Sequence, residues 1–116
     1  GPDGWEMTYC EPATEPGQAY RWGWRNTAGE GEEFGFEGEA VLVEKPYRSV
    51  TTERMVGTEG PSTLNDLTLY EEDGATLLTL VIWYPDKETR DAILATGMVD
   101  GMEASYARLE ESLAKA

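Results

Sequence analysis

The chain contains no histidine and a single cysteine, Cys10, among its 116 residues. The first absence removes the usual general base of a catalytic triad and the commonest transition-metal ligand. The second rules out an internal disulfide and, together with the first, a Cys/His zinc site. A lone free thiol fits a reducing compartment, so the expected location is cytoplasmic. Basic side chains are also scarce, nine against 23 acidic ones, for a net charge of −14. Such a chain repels phosphate backbones and anionic membrane surfaces, which excludes nucleic acid as the expected partner. No apolar run approaches the ~20 residues of a membrane span, and no signal-peptide pattern opens the chain. The acidic "GEGEE" stretch, Gly29 to Glu33, lacks the ligand spacing of a calcium loop. No glycine-rich phosphate loop or nucleophile–base pair occurs. The reading is therefore of a protein with no cofactor, no metal and no assignable catalytic residue.

What the chain does have is a regular succession of strand patterns. Turn signals fall every eight to twelve residues through the first 85, the spacing of an antiparallel meander. Strands are expected at about Glu6–Glu11, in "QAYRWGWR", at Phe34–Glu44, at Tyr47–Val56, at Leu64–Glu72 and at Thr76–Tyr84. The second alternates Tyr20, Trp22 and Trp24 against Arg21, Gly23 and Arg25, placing three aromatic rings on one face. In the third, Phe34, Phe36, Ala40 and Leu42 share a face. Pro46 ends the third strand in a tight turn. Asp73-Gly74 is the strongest hairpin signal. "TLLTLVIWY" is apolar on both faces and reads as a central strand covered on both sides.

Beyond Pro85 the pattern becomes helical, with Asp86 as an N-cap. Met98, Met102, Tyr106, Leu109 and Leu113 recur at steps of four, four, three and four, an arc of about 80° on a helix of about 24 Å. That stripe calls for burial against the sheet. Gly97, Gly101 and Ser105 form a groove along one edge of the stripe. Gly97 reads as the residue just past a preceding helix, where glycine is favoured. Gly101 lies inside the helix, where glycine costs about 1 kcal/mol relative to alanine. Close approach to the sheet or room for a ligand would explain it. The fold class is α+β, a single domain over residues 1–116, with a curved antiparallel sheet of about six strands wrapped on a long C-terminal helix.

"GPDGW", "EPGQAYRW", "GEAVLVEKPYRSVTTE", "DGATLLTLVIWYP" and "ATGMVDGMEASYARLEE" follow one another in an order and spacing similar to the Hsp90-ATPase-activator-homologue (AHSA1-like) branch of the START-like (SRPBCC) superfamily. The resemblance runs over essentially the whole chain and implies a helix-grip fold. It also implies a cavity between sheet and helix for an apolar or amphipathic small molecule. In this chain the cavity would be lined by Trp22, Trp24 and Phe36 from the strands and by Met98, Gly101, Met102, Ser105 and Tyr106 from the helix. The sequence starts after the strand and short helices that precede "GPDGW" in the family, which fits a truncated form, a naturally short member, or one whose open sheet edge beside the second-strand aromatics is closed by a second copy as a homodimer.

Two other readings follow from the same resemblance, since fold does not decide function. One is a protein-interaction module that modulates a chaperone or another partner, supported by the acidic surface. The other is a cyclase- or hydrolase-type enzyme using a cavity carboxylate. Glu53 and Glu59 are the candidates for such a pair. Glu53 shares strand parity with Thr51 and Met55 and so points inward. Arg54 and Arg108 are more simply surface ion-pair partners than sites for an anion.

Overall fold

The computed structural model describes residues 4–116; Gly1, Pro2 and Asp3, the start of the "GPDGW" match, lie outside the described residues. Six strands follow in chain order: β1 (Trp5–Glu11), β2 (Ala19–Asn26), β3 (Glu33–Glu44), β4 (Arg48–Met55), β5 (Thr63–Glu72) and β6 (Ala75–Trp83). They form one antiparallel sheet in the order β1-β2-β3-β4-β5-β6. Two helices complete the chain, α1 (Lys87–Leu94) and α2 (Met98–Lys115). The result is the expected α+β helix-grip-like arrangement, a curled half-barrel sheet with a C-terminal helix. Every strand lies within two residues of its sequence-derived bounds.

The turns are chemical in origin. Asp73 and Gly74 both take positive φ, 51° and 80°, the mirror-image turn whose twist suits a two-residue hairpin. Pro46 follows a cis peptide bond, and the Tyr47 N–H closes that turn on the Glu44 carbonyl at 2.8 Å. Asp86 caps α1, its side chain accepting from the Thr89 N–H at 2.7 Å. That bond holds the Asp86 carboxyl below its ordinary range.

Register divides the sheet into two faces. The inner one carries Tyr20, Trp22 and Trp24 of β2, Phe34, Phe36 and Gly38 of β3, and Thr51 and Glu53 of β4. It continues through Asn65, Leu67 and Leu69 of β5 to Ile82, Leu80 and Leu78 of β6. All of these are buried or half-buried. The outer face carries an alternating charge ladder. Arg21 meets Glu11, Arg25 meets Glu6, Arg54 meets Glu37, and Arg48 meets Glu44 and Asp66. Such exposed pairs set register more than stability. Tyr9 lies on this face across Gly23 and Gly35, close enough that a Cβ on either glycine would overlap its ring.

Three expectations are corrected, and the two open edges of the sheet are located. A register shift between Ala40 and Leu42 turns Leu42 to the opposite face from Ala40, because an extra residue in one strand reverses the alternation. The apolar "TLLTLVIWY" strand is at the sheet edge rather than its centre: Leu77, Val81 and Trp83 are 57%, 44% and 62% exposed. The edge beside the second-strand aromatics is β1, which carries a register shift between Met7 and Tyr9 and charged residues, both features that discourage edge pairing. β6 has an unbroken register and no charge from Ala75 to Trp83, so it is the less guarded edge. Finally, the helical stripe is only partly covered. Met98 and Met102 are half-buried, but Leu109 and Leu113 stand 48% and 66% exposed.

Candidate functional site

The polar centre of the inner face lies where the backbone ladder opens. β3 and β4 pair at Glu37↔Arg54 and again at Ala40↔Thr51, with no pair between. Side chains take over in the gap. The Glu39 N–H donates to Thr52 Oγ1 at 3.0 Å, and the Tyr20 hydroxyl donates to the Thr52 carbonyl at 2.6 Å. Buried backbone groups need a partner whatever its source. Gly38 makes the arrangement possible, since β4 crosses it so closely that any side chain there would meet the Thr52 carbonyl.

Glu53 is the next residue along β4. Its Oε2 accepts from the Asn65 amide at 2.7 Å and, as the longer branch of a bond shared with the Thr52 carbonyl, from the Tyr20 hydroxyl at 3.4 Å. Burial pushes its carboxyl above the ordinary glutamate range, and these two neutral donors draw it partly back. Burial and then the Glu53 charge lift the Tyr20 phenol well above its usual range, and the same two causes act more weakly on Tyr84. The inward parity of Glu53 was legible in the sequence. Its partners Tyr20 and Asn65 were not, because one lies 33 residues away in the chain and the other 12. Glu59, by contrast, is exposed in the 56–62 loop, so the two carboxylates have different settings.

Glu53 carries a testable pH signature. A carboxyl whose folded pKa is raised binds its proton more tightly in the native state. Its contribution to stability is therefore present below the unfolded value, 4.5, and is lost as pH rises through the folded one. The expected result is that Glu53→Gln removes this decline, shown by urea denaturation of both proteins at a series of pH values from 4 upward. Parallel stability profiles for the two would contradict it.

Beside the polar centre is an aromatic cluster. Trp24 stacks on Phe34 with ring centroids 5.1 Å apart, and Phe36 meets both edge-on. Trp5 closes on Phe34 from β1 at 4.9 Å, and Trp22 lies against Tyr20 at 4.6 Å. The Trp24 indole Nε1 is buried and finds no acceptor among the described residues. Trp22, Trp24 and Phe36 thus come together as one surface. Trp5 and Phe34 also belong to it and were missed as site residues, although the alternation of β3 already placed Phe34 with Phe36.

From the helix, Met98 approaches the inner face through a 3.7 Å contact of its Sδ with the Tyr84 hydroxyl. Gly101, Met102 and Ser105 are half-buried, and Tyr106 is 38% exposed. The Ser105 hydroxyl turns back to the Gly101 carbonyl at 3.1 Å, leaving no hydroxyl proton for another partner. Gly97 is the N-cap of α2 with φ 81°, three residues beyond the end of α1, rather than the residue immediately closing that helix. Among the described residues, nothing beyond its chain neighbours and the helix's own backbone lies within 4 Å of where a Cβ on Gly101 would stand. Close approach to the sheet is therefore not the reason for it. Gly101→Ala is expected to raise stability by about 1 kcal/mol through helix propensity alone, measured by urea denaturation. A loss of stability would show that the space is structurally required.

Arg54 is ion-paired with Glu37 at 3.2 Å on the outer face, as expected. A groove of about 360 Å³ on that face runs between Arg21 and Arg54, but Glu11, Glu37 and Glu39 line it too, so it presents no anion site. Among the described residues no group of acidic, cysteine or histidine side chains could hold a metal ion, and no helix is long and apolar enough to cross a membrane.

Comparison with known proteins agrees with this geometry. The family model described as "Activator of Hsp90 ATPase homolog 1-like protein" matches residues 3–114. A crystal structure of a Rhodobacter sphaeroides protein is similar at 33% identity and TM-score 0.89, over 99% of this chain and 73% of that one. Protein Ms6760 of Mycobacterium smegmatis shares the fold at 24% identity and TM-score 0.81, over 97% of this chain and 72% of its own. Protein CV1439 of Chromobacterium violaceum does so at 23% and 0.74, over 93% and 72%. No curated protein matches the chain.

Proposed function

Since the chain belongs to the Activator of Hsp90 ATPase homolog 1-like family, we propose that it binds an apolar or amphipathic small molecule between the inner face of its sheet and α2. The observation that carries this reading is the open space beside Gly101, on a helix face whose methionines are only half-covered. The inner face of the sheet carries an aromatic surface, and aromatic rings with a few convergent polar groups are the usual lining of a ligand site. Thioethers adapt to irregular ligand shapes, which suits Met98 and Met102. Trp24 Nε1 adds a buried donor that an acceptor on the ligand would satisfy.

The test is thermal melting of the protein against a library of lipids and polyketides. Ligands are expected to raise the midpoint for the native chain and not for Met102→Trp, in which the indole fills the space beside α2. If no compound stabilises the native chain, or if Met102→Trp responds equally, the reading fails.

A second reading is favoured by Glu53. A carboxylate with a raised pKa on a ligand-binding face is what acid–base catalysis of a cyclase or hydrolase type requires. Turnover of a stabilising compound, abolished in Glu53→Gln, would establish it.

A further inference from the structure

The two oxygens of Glu53 are used unequally. Oε2 receives both the Asn65 amide and the Tyr20 hydroxyl. Oε1 receives neither. The carboxylate is thus held through one oxygen, on a side chain that the register of β4 places on the inner face. Both groups that hold it are neutral. The four arginines of the sheet all point the other way, each committed to a carboxylate on the outer face. The strands therefore place an anion on an aromatic inner surface and give it hydrogen bonds but no counter-ion.

We propose that Glu53 Oε1 is the recognition point for an organic ammonium group, so that the ligand of the inner face is an amphipathic amine. The inference rests on the reading of that face as a binding surface and adds the class of ligand. An ammonium supplies what the neutral donors do not, a positive charge against a half-buried carboxylate, and a charge-assisted hydrogen bond is roughly twice as strong as a neutral one. The apolar body of the amine would lie on Trp22 and Phe36, whose ring faces also attract cations. Phe36 pairs with Met55, two residues along β4 from Glu53 and on the same face. The net charge of −14 adds a long-range field that draws cations toward the protein. A metal ion is a poorer fit, since it would find one carboxylate where it needs several ligands.

The experiment compares two probes of the same shape, phenethylamine and phenethyl alcohol, by isothermal titration of the whole chain at neutral pH. The amine is expected to bind about tenfold more tightly, the difference between a charged and a neutral hydrogen bond. Glu53→Gln should abolish that preference. It retains a side-chain oxygen for Tyr20 and Asn65, so folding is expected to survive, as a melting curve will confirm. Glu59→Gln, which removes an exposed carboxylate of the 56–62 loop, should leave the preference intact. Affinity for the amine should also fall as the solution is acidified and Glu53 takes up a proton, with Tyr20 and Tyr84 remaining neutral throughout. Equal affinity for the two probes overturns the inference while leaving the binding surface standing. Equal weakening by both substitutions also overturns it, because the attraction is then diffuse. If neither probe nor any member of the wider library binds, the binding surface itself is refuted.

Discussion

Gly38→Ala is expected to lower stability by about 3 kcal/mol, near the upper end of what overpacking usually costs. A Cβ built on Gly38 stands 1.8 Å from the Thr52 carbonyl oxygen, 2.7 Å from its carbon and 2.9 Å from the Tyr20 ring. The first two atoms are backbone of β4 and cannot swing aside as a side-chain tip can. Relief requires β3 and β4 to separate, which would pull Thr52 away from both the Tyr20 hydroxyl and the Glu39 N–H. For a domain of this size the midpoint should fall by about 15 °C, read by circular dichroism. Gly101→Ala provides the contrast: the same chemical change where there is no neighbour is expected to act in the opposite direction. A small effect at Gly38 would mean that the strands part easily there and that the ladder gap is a soft hinge.

The second large effect is at Tyr20, one of three buried hydrophobic residues among those described, at 3% exposure. Tyr20→Ala removes a buried ring and is expected to cost about 4 kcal/mol, as other large-to-small core changes do. Tyr20→Phe separates the hydroxyl from the ring. It keeps the contact with Trp22 but leaves the Thr52 carbonyl without its donor and Glu53 with only Asn65. The expected cost is about 1.5 kcal/mol. The phenylalanine variant should also behave differently in alkali. The raised folded pKa of Tyr20 means that its stabilising contribution is complete below the unfolded value, 10.0, and declines as pH rises above it. Tyr20→Phe should flatten that decline, measured by denaturant unfolding between neutral and alkaline pH. An unchanged slope would show that the hydroxyl is already exchanging freely with solvent.

The segments most legible in the sequence are those set by local rules. Alternation placed Tyr20, Trp22 and Trp24 on one face, Asp73-Gly74 named its own turn, and Asp86 named its own cap, because each depends on residues within a few positions. The parity of Glu53 was legible for the same reason. What surrounds Glu53 was not. Asn65 and Tyr20 reach it only through the register of β4 with β5 and the ladder gap between β3 and β4. "TLLTLVIWY" shows the opposite failure. Its two apolar faces argue for coverage, yet strand order, which no local pattern encodes, puts it at the edge.

The sequence by itself determined the meander, the closing helix and the absence of histidine chemistry, since these follow from residue type and period. Only the tertiary structure decided that Gly38 is needed for a close crossing while Gly101 faces open space. Local pattern puts one in a strand and the other in a helix; what it cannot supply is the backbone that the fold brings to Gly38 and not to Gly101.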